Sequence, residues 1–379
     1  MAATARLVFA DSERDADLFW LTGFLAGDPF LYLERDGKKT LFLSDLEVDR
    51  GRRLKGIEVV RVKEISDAEE KENGDLPPDP FVRIGRILRR IAADRGIDGF
   101  EVPASFPLAL ADTLRGLGLG VRWSRPPFAP GRTIKSAAEV EKIRGAIRHT
   151  EAAMQAALDC LRAAEIRGDA LVKDGRPLTS EDVRLVINRC LMERSCHAYE
   201  AIVAGGDQGV DPHERGHGPL PAHLPIILDI FPRDNATRYH GDMTRTVVRG
   251  KASAEAKRRF EAVKETTAAA EAVLRDGADG FDAHDAVKKV FEKHRFETAQ
   301  RDGRMVGFFH GTGHGLGLEV HEHPRVSQVH EILKAGHVVT VEPGLYYPGV
   351  GGVRLEDDVL VTKDGCENLC TMPVEPFEI

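Results

Sequence analysis

Four segments set a carboxylate where a buried-looking strand ends or is interrupted. They are Pro225-Ile226-Ile227-Leu228-Asp229-Ile230-Phe231, Tyr239-His240-Gly241-Asp242-Met243-Thr244-Arg245-Thr246, Val338-Val339-Thr340-Val341-Glu342-Pro343-Gly344 and Val353-Arg354-Leu355-Glu356-Asp357-Asp358-Val359. An ionised carboxylate inside an apolar run is costly unless a cation or hydrogen-bond donors compensate it. Strand alternation puts Asp242 and Thr244 on one face, and Arg354, Glu356 and Asp358 on the face opposite Val353 and Leu355. Any one of these acids could cap a turn or pair with an arginine such as Arg245 or Arg354. Four of them on four strands call for a shared countercharge, and divalent cations supply one.

A fifth segment, Phe308 to Glu322, sets His310, His314 and His321 among glycines. A dinucleotide-binding loop would need a helix after the glycines and a ribose-binding acid about 20 residues on. Here Leu318-Glu319-Val320-His321 reads as a strand, which excludes that use. The glycines instead let backbone and substrate approach closely around His310 and His314. The candidate ligands are then one imidazole, His314, and four carboxylates, Asp229, Asp242, Glu342 and Glu356. Oxygen-rich ligation with a single nitrogen suits Mn²⁺, with Co²⁺, Fe²⁺ or Zn²⁺ as alternatives, rather than a thiolate zinc site. Four carboxylates overload one divalent ion. Two ions about 3.5–4 Å apart balance them and clamp a hydroxide nucleophile, the chemistry of a two-metal hydrolase.

The elements that must hold these residues follow from the remaining pattern. The chain has 379 residues, enough for about two domains. All fourteen histidines lie between His149 and His337, so titratable and metal chemistry belongs to the second part. Arg125-Pro126-Pro127-Phe128-Ala129-Pro130-Gly131 can continue neither a helix nor a central strand, and it sets domains at residues 1–131 and 132–379. The first domain mixes strand-like runs (Phe30–Leu33, Thr40–Leu43, Ile57–Val60) with a helix over Val82–Ala92, an α/β layer. Its acidic stretch Asp67–Asp75, followed by Pro77, Pro78 and Pro80, reads as a solvated loop.

Beyond the boundary, Ser136-Ala137-Ala138-Glu139 is a capping box opening a long helix whose buried stripe is Val140, Ile143, Ile147, Met154, Leu158 and Leu161. Further helices are expected over Thr179–Arg194, Glu255–Leu274 and Ala283–His294. Strands are expected at Ala201–Ala204, Ile226–Leu228, Thr246–Val248, Val338–Val341 and Val353–Val361. The class is α+β with mostly antiparallel strands.

A net charge of −8 argues against binding a phosphate backbone, so no nucleic-acid partner is expected. No apolar run reaches the roughly 18 residues of a spanning helix, so no membrane partner is expected either. The start lacks a basic flank followed by an apolar stretch, and the five cysteines form no C-x-x-C pair. Reduced thiols in a cytoplasmic protein are the expectation.

Asp242-Met243-Thr244-Arg245-Thr246, the His310–Glu322 run, Val341-Glu342-Pro343-Gly344-Leu345-Tyr346-Tyr347 and Val353–Val359 together resemble the signatures of the pita-bread metallopeptidases: aminopeptidase P, prolidase and methionine aminopeptidase. The likeness runs from about Ser136 onward. Asp211–Leu220 is similar to that family's substrate-side histidine loop. Asp17–Phe24 is similar to part of the creatinase-like N-terminal domain of prolidase and aminopeptidase P, which methionine aminopeptidases lack.

The resemblance implies a creatinase-like α/β domain followed by a pita-bread catalytic domain. It further implies a Xaa-Pro exopeptidase acting on peptides with proline in second position. Aminopeptidase P is taken first, with prolidase, or a non-peptidase creatinase-like or binding protein on the same fold, as alternatives. Asp229 would chelate one ion, Asp242 and Glu356 would bridge two, and His314 with Glu342 would hold the second. A bridging hydroxide would attack, with Glu342 accepting its proton. His321 and His213 would face the reacting bond, and His310, Tyr346 and Arg354 would line the proline pocket. A homodimer, or a tetramer, would follow from the family. Two departures stand out: a long connection between Asp229 and Asp242, and Gly315 where an aromatic often follows the ligand histidine.

Overall fold

A computed structural model describes residues 3–198 and 200–379. The chain forms two compact units, Met1–Arg132 and Thr133–Ile379.

The first unit is built on a six-stranded mixed sheet in the order Glu58–Arg61, Lys38–Leu43, Phe30–Arg35, Thr4–Ala10, Gly99–Val102, Gly120–Trp123. Strand alternation explains its layering. Leu31 and Leu33 join Leu7 and Phe42 in a core covered by the Pro80–Arg95 and Leu108–Gly116 helices, while Phe30 and Tyr32 join Val8 and Leu41 under the Ala16–Thr22 helix.

The acidic stretch that reads as a loop is instead a helix, Val62–Asn73. Its Glu69 is buried and accepts hydrogen bonds from Arg86 Nε (3.0 Å) and Arg89 (3.3 Å), so the run of acids has an inward side that composition hides. The break comes only at Gly74, and Asp79 caps the next helix through the Phe81 and Val82 amides.

The second unit repeats one theme, two helices on an antiparallel sheet. The Ala137–Arg162 and Ser180–Glu193 helices pack Met154, Leu161 and Ile187 on Leu228, Ile230 and Met243 of a sheet ordered Ile202–Gly205, Pro225–Ile230, Met243–Val248. The Ala254–Glu271 and Gly280–Lys293 helices pack Phe260, Val287 and Phe291 on Val339, Val341 and Val359 of a five-stranded sheet. That sheet runs Glu322–Val326, Gly313–Gly315, Val338–Val341, Asp357–Val361, Cys366–Asn368. A hairpin, Gly344–Tyr347 with Gly351–Arg354, lies in sequence between the Val338–Val341 and Asp357–Val361 strands.

Helices begin where the caps place them. Ser136 accepts from the Glu139 amide while Glu139 reaches back to the Ser136 amide, and Thr179 and Asp182 do the same. Two expected strands are corrected. Val353–Val361 is not continuous, because Gly351–Arg354 pairs with Gly344–Tyr347 whereas Asp357–Val361 pairs with Val338–Val341; the chain changes partner at Leu355-Glu356. Leu318–His321 is a bend, and the strand starts at Glu322. Buried Arg245 bonds across this region, to Asp357 Oδ1 (2.7 Å) and to the carbonyls of Glu356 (2.6 Å) and Met372 (2.6 Å).

Candidate metal centre

The four candidate carboxylates sit at or next to the end of a strand or in a break, while the imidazole lies within a short strand. Asp229 is the penultimate residue of Pro225–Ile230 and stands in register with Thr244. Asp242 precedes Met243, and Glu342 follows Val341 with its amide on the Thr312 carbonyl (2.8 Å). Glu356 occupies the break described above, its amide bonded to the Thr244 carbonyl (3.1 Å) and its Oε2 accepting from Thr244 Oγ1 (2.7 Å). His314 lies mid-strand between Gly313 and Gly315. A β-carbon on Gly313 would overlap the Thr340 carbonyl oxygen, and one on Gly315 would overlap the His323 carbonyl oxygen. Gly315 therefore answers a tight strand contact.

The ligand atoms of Asp242, His314 and Glu356 all lie within 4.8 Å of one another. His314 Nε2 is 3.4 Å from Glu342 Oε1 and 4.0 Å from Asp242 Oδ2. Asp229 stands outside that trio and is bound by Arg354 (2.6 Å to Oδ2), while its Oδ1 is buried without a hydrogen-bond partner. Asp358, which the sequence shows on the Glu356 face but without a role, is wholly buried: its Oδ2 accepts from the Asp242 amide (3.0 Å) and its Oδ1 has no partner.

Asp229, Asp242 and Glu356, all buried, and the half-buried Glu342 thus cluster beside Arg354, with buried Asp358 on the Asp242 amide. Burial, and then repulsion from Glu356 and Asp229, push the Asp242 carboxyl well up; burial, Glu342 and Asp229 do the same to Glu356. Burial raises Glu342 to about 7 against the pull of Arg354. Reading these acids as ordinary ion pairs accounts only for Asp229 with Arg354 and Asp357 with Arg245. The rest stay ionised together only with added positive charge, and the donor set of four carboxylates and one imidazole fits divalent ions. His314 favours a neutral ring, since burial and then His321 lower its pKa to about 3.

The remaining expected residues divide into two groups. His310 Nδ1 lies 2.7 Å from the Gly311 carbonyl, so this nitrogen carries the proton and Nε2 accepts from the Tyr346 hydroxyl at 3.0 Å. Tyr346 in turn accepts from Arg354 Nη1 (2.9 Å), and Arg354 Nε donates to Thr244 Oγ1 (3.2 Å). Arg354 is consequently a buried brace tying Tyr346 to Asp229. The second group is open to solvent: His321 is exposed with its ring edge-on to His314 (centroids 4.3 Å apart), and exposed His213 lies close enough to lower the pKa of both His321 and His310. Sequence reasoning missed two supports, Asp358 and His284. The latter is buried, with Nδ1 2.9 Å from Thr312 Oγ1 between His310 and His314 in sequence.

Metallopeptidase family M24 matches residues 141–363. A Xaa-Pro dipeptidase of Pyrococcus horikoshii is 27% identical over 310 residues, 79% of this chain and 80% of the relative. An uncharacterized peptidase of Staphylococcus saprophyticus is 30% identical over 368 residues, 93% and 92% of the two chains. Among solved structures, an X-Pro aminopeptidase from Thermotoga maritima superposes with TM-score 0.79 at 22% identity, covering 100% of this chain and 98% of that one. Prolidase from Pyrococcus furiosus gives 0.78 at 21%, covering 97% and 96%. At such identities these two speak for the fold. The chain belongs to metallopeptidase family M24: it is a hydrolase with the pita-bread fold, and membership implies divalent metal ions. Among the described residues no helix is long and apolar enough to cross a membrane.

Proposed function

We propose that this peptidase is a Xaa-Pro dipeptidase, cleaving the bond before a proline that ends its substrate. The observation that carries metal-dependent hydrolysis is the excess of buried acid around His314: Asp242, Glu342, Glu356 and Asp229 against the single charge of Arg354. Asp229, Asp242, His314, Glu342 and Glu356 would hold two ions, Mn²⁺ being the best match to the donors. Bound there, the ions supply charge balance and Lewis acidity that makes water a nucleophile near neutral pH.

The protein's own groups do the rest. Glu342 takes the proton of the attacking water and passes it on. His321 and His213 stand on the open side, where they donate to the developing oxyanion or the leaving imino group. His310 and Tyr346, with Phe309 packed on both rings, form the apolar wall that suits a proline ring.

The preference for a dipeptide over a longer peptide rests on the Xaa-Pro dipeptidase relatives, among them the one from Pyrococcus horikoshii. This reverses the weighting of aminopeptidase P over prolidase made from sequence. The test compares a Xaa-Pro dipeptide with a Xaa-Pro-Yaa peptide, using protein stripped with chelator and resupplied with Mn²⁺. Cleavage of the dipeptide alone is expected. Cleavage of the longer peptide at equal or greater rate means aminopeptidase P, and turnover of neither overturns the exopeptidase reading.

A further inference from the structure

A second group of donor atoms converges in the catalytic unit, and peptide hydrolysis makes no use of it. His149 extends from the Ala137–Arg162 helix, Cys196 lies on the Cys196–His197 strand, and Asp234 lies on the Arg233–Asp234 strand directly opposite Cys196 in register. One ligand atom from each falls within 4.8 Å of the other two.

The spacing is wrong for hydrogen bonding and right for an ion. His149 Nε2 and Asp234 Oδ2 are 3.5 Å apart, beyond a normal N–H···O bond. Two ligands each about 2.1 Å from a tetrahedral ion stand about 3.4 Å apart. Asp234 is held in place for this: its Oδ1 accepts from the amides of Ala236 (2.8 Å) and Thr237 (2.7 Å) and from Thr237 Oγ1 (3.1 Å), which leaves Oδ2 turned to His149. Cys196 is buried, and its Sγ donates to the Arg194 carbonyl over a long 3.6 Å.

We propose that His149, Cys196 and Asp234 form a zinc site separate from the peptidase centre, with water in the fourth position. A thiolate and an imidazole are soft enough to select Zn²⁺, whereas the carboxylate-rich centre selects a harder ion, so one chain sorts two kinds of metal. Asp234 lies in the long connection between Asp229 and Asp242. An ion there pins that connection to the helix and so fixes the spacing of two catalytic acids. Binding replaces the thiol proton, which leaves to solvent.

The test uses the full chain, freed of metal with chelator and loaded with Co²⁺. The peptidase centre offers only oxygen and nitrogen donors, so a near-ultraviolet thiolate-to-Co²⁺ charge-transfer band reports a cysteine ligand. The band is expected in the native protein, is displaced by added Zn²⁺, and is absent from Cys196→Ser and His149→Ala. Metal content should fall by one ion per chain in each variant. A native protein without the band overturns the site, and so does a band that survives Cys196→Ser. The spectrum requires no turnover, so failure of the dipeptidase reading leaves this test intact.

Discussion

Asp242 and Glu356 are expensive to bury as anions, and in the proposed site cations would offset that cost. Replacing either by its amide, Asp242→Asn or Glu356→Gln, removes repulsion that burial amplifies. The metal-free variants should therefore be more stable than metal-free native protein by roughly 1–3 kcal/mol. They should also lose at least about 100-fold in activity with metal supplied. Thermal melts in chelator alongside dipeptide assays check both signs, and a destabilised amide variant would favour ordinary ion pairing. Arg354 predicts the opposite. Arg354→Met leaves Asp229 buried beside other acids without its cation, at a cost of about 3–5 kcal/mol, measurable by urea unfolding in chelator.

The elements show why some of this was legible and some was not. Helix starts could be read because the signal is local. Ser136 and Glu139 complete each other's hydrogen bonds within one turn, and Ser136→Ala should cost about 1 kcal/mol by denaturant melts without changing the metal site. Asp229, Asp242, Glu342 and Glu356 could be picked out because an acid among β-branched residues breaks a short-range rule. The Val62–Asn73 helix was hidden because the arginines that Glu69 meets belong to another helix. The break at Glu356 was hidden as well, since Leu355 keeps the alternation going while the pairing partner changes. Asp358 carried a signal, its alternation with Glu356, but its bond to the Asp242 amide spans 116 residues and no local pattern encodes that.

At the scale of the whole molecule, a buried histidine contributes to the response to acid. His337 is 5% exposed, its Nδ1 accepts from the Lys334 amide (3.1 Å), and burial and then Lys135 lower its pKa from 6.5 to about 4. Between those values the unfolded chain binds a proton that the folded chain refuses. Stability therefore falls as pH drops from about 6.5 to about 4, by about 1.4 kcal/mol per pH unit for this group. His337→Asn keeps an acceptor but does not titrate, so its melting temperature should decline less than that of native protein over this window. Equal declines would mean that His337 is not the group responsible.

The break at Leu355-Glu356 has a consequence for timing. The proposed ligands emerge in the order Asp229, Asp242, His314, Glu342, Glu356. The last is held in place by Thr244 and Arg245, 112 and 111 residues earlier, after the neighbouring segments have chosen different strand partners. A nascent chain that has released Glu342 but not Glu356 has no means of holding the full set of ions. On the proposed ligand set, metal capture would be a late event in the protein's biogenesis, and tight metal retention would mark a chain in which Glu356 has already met Thr244 and Arg245.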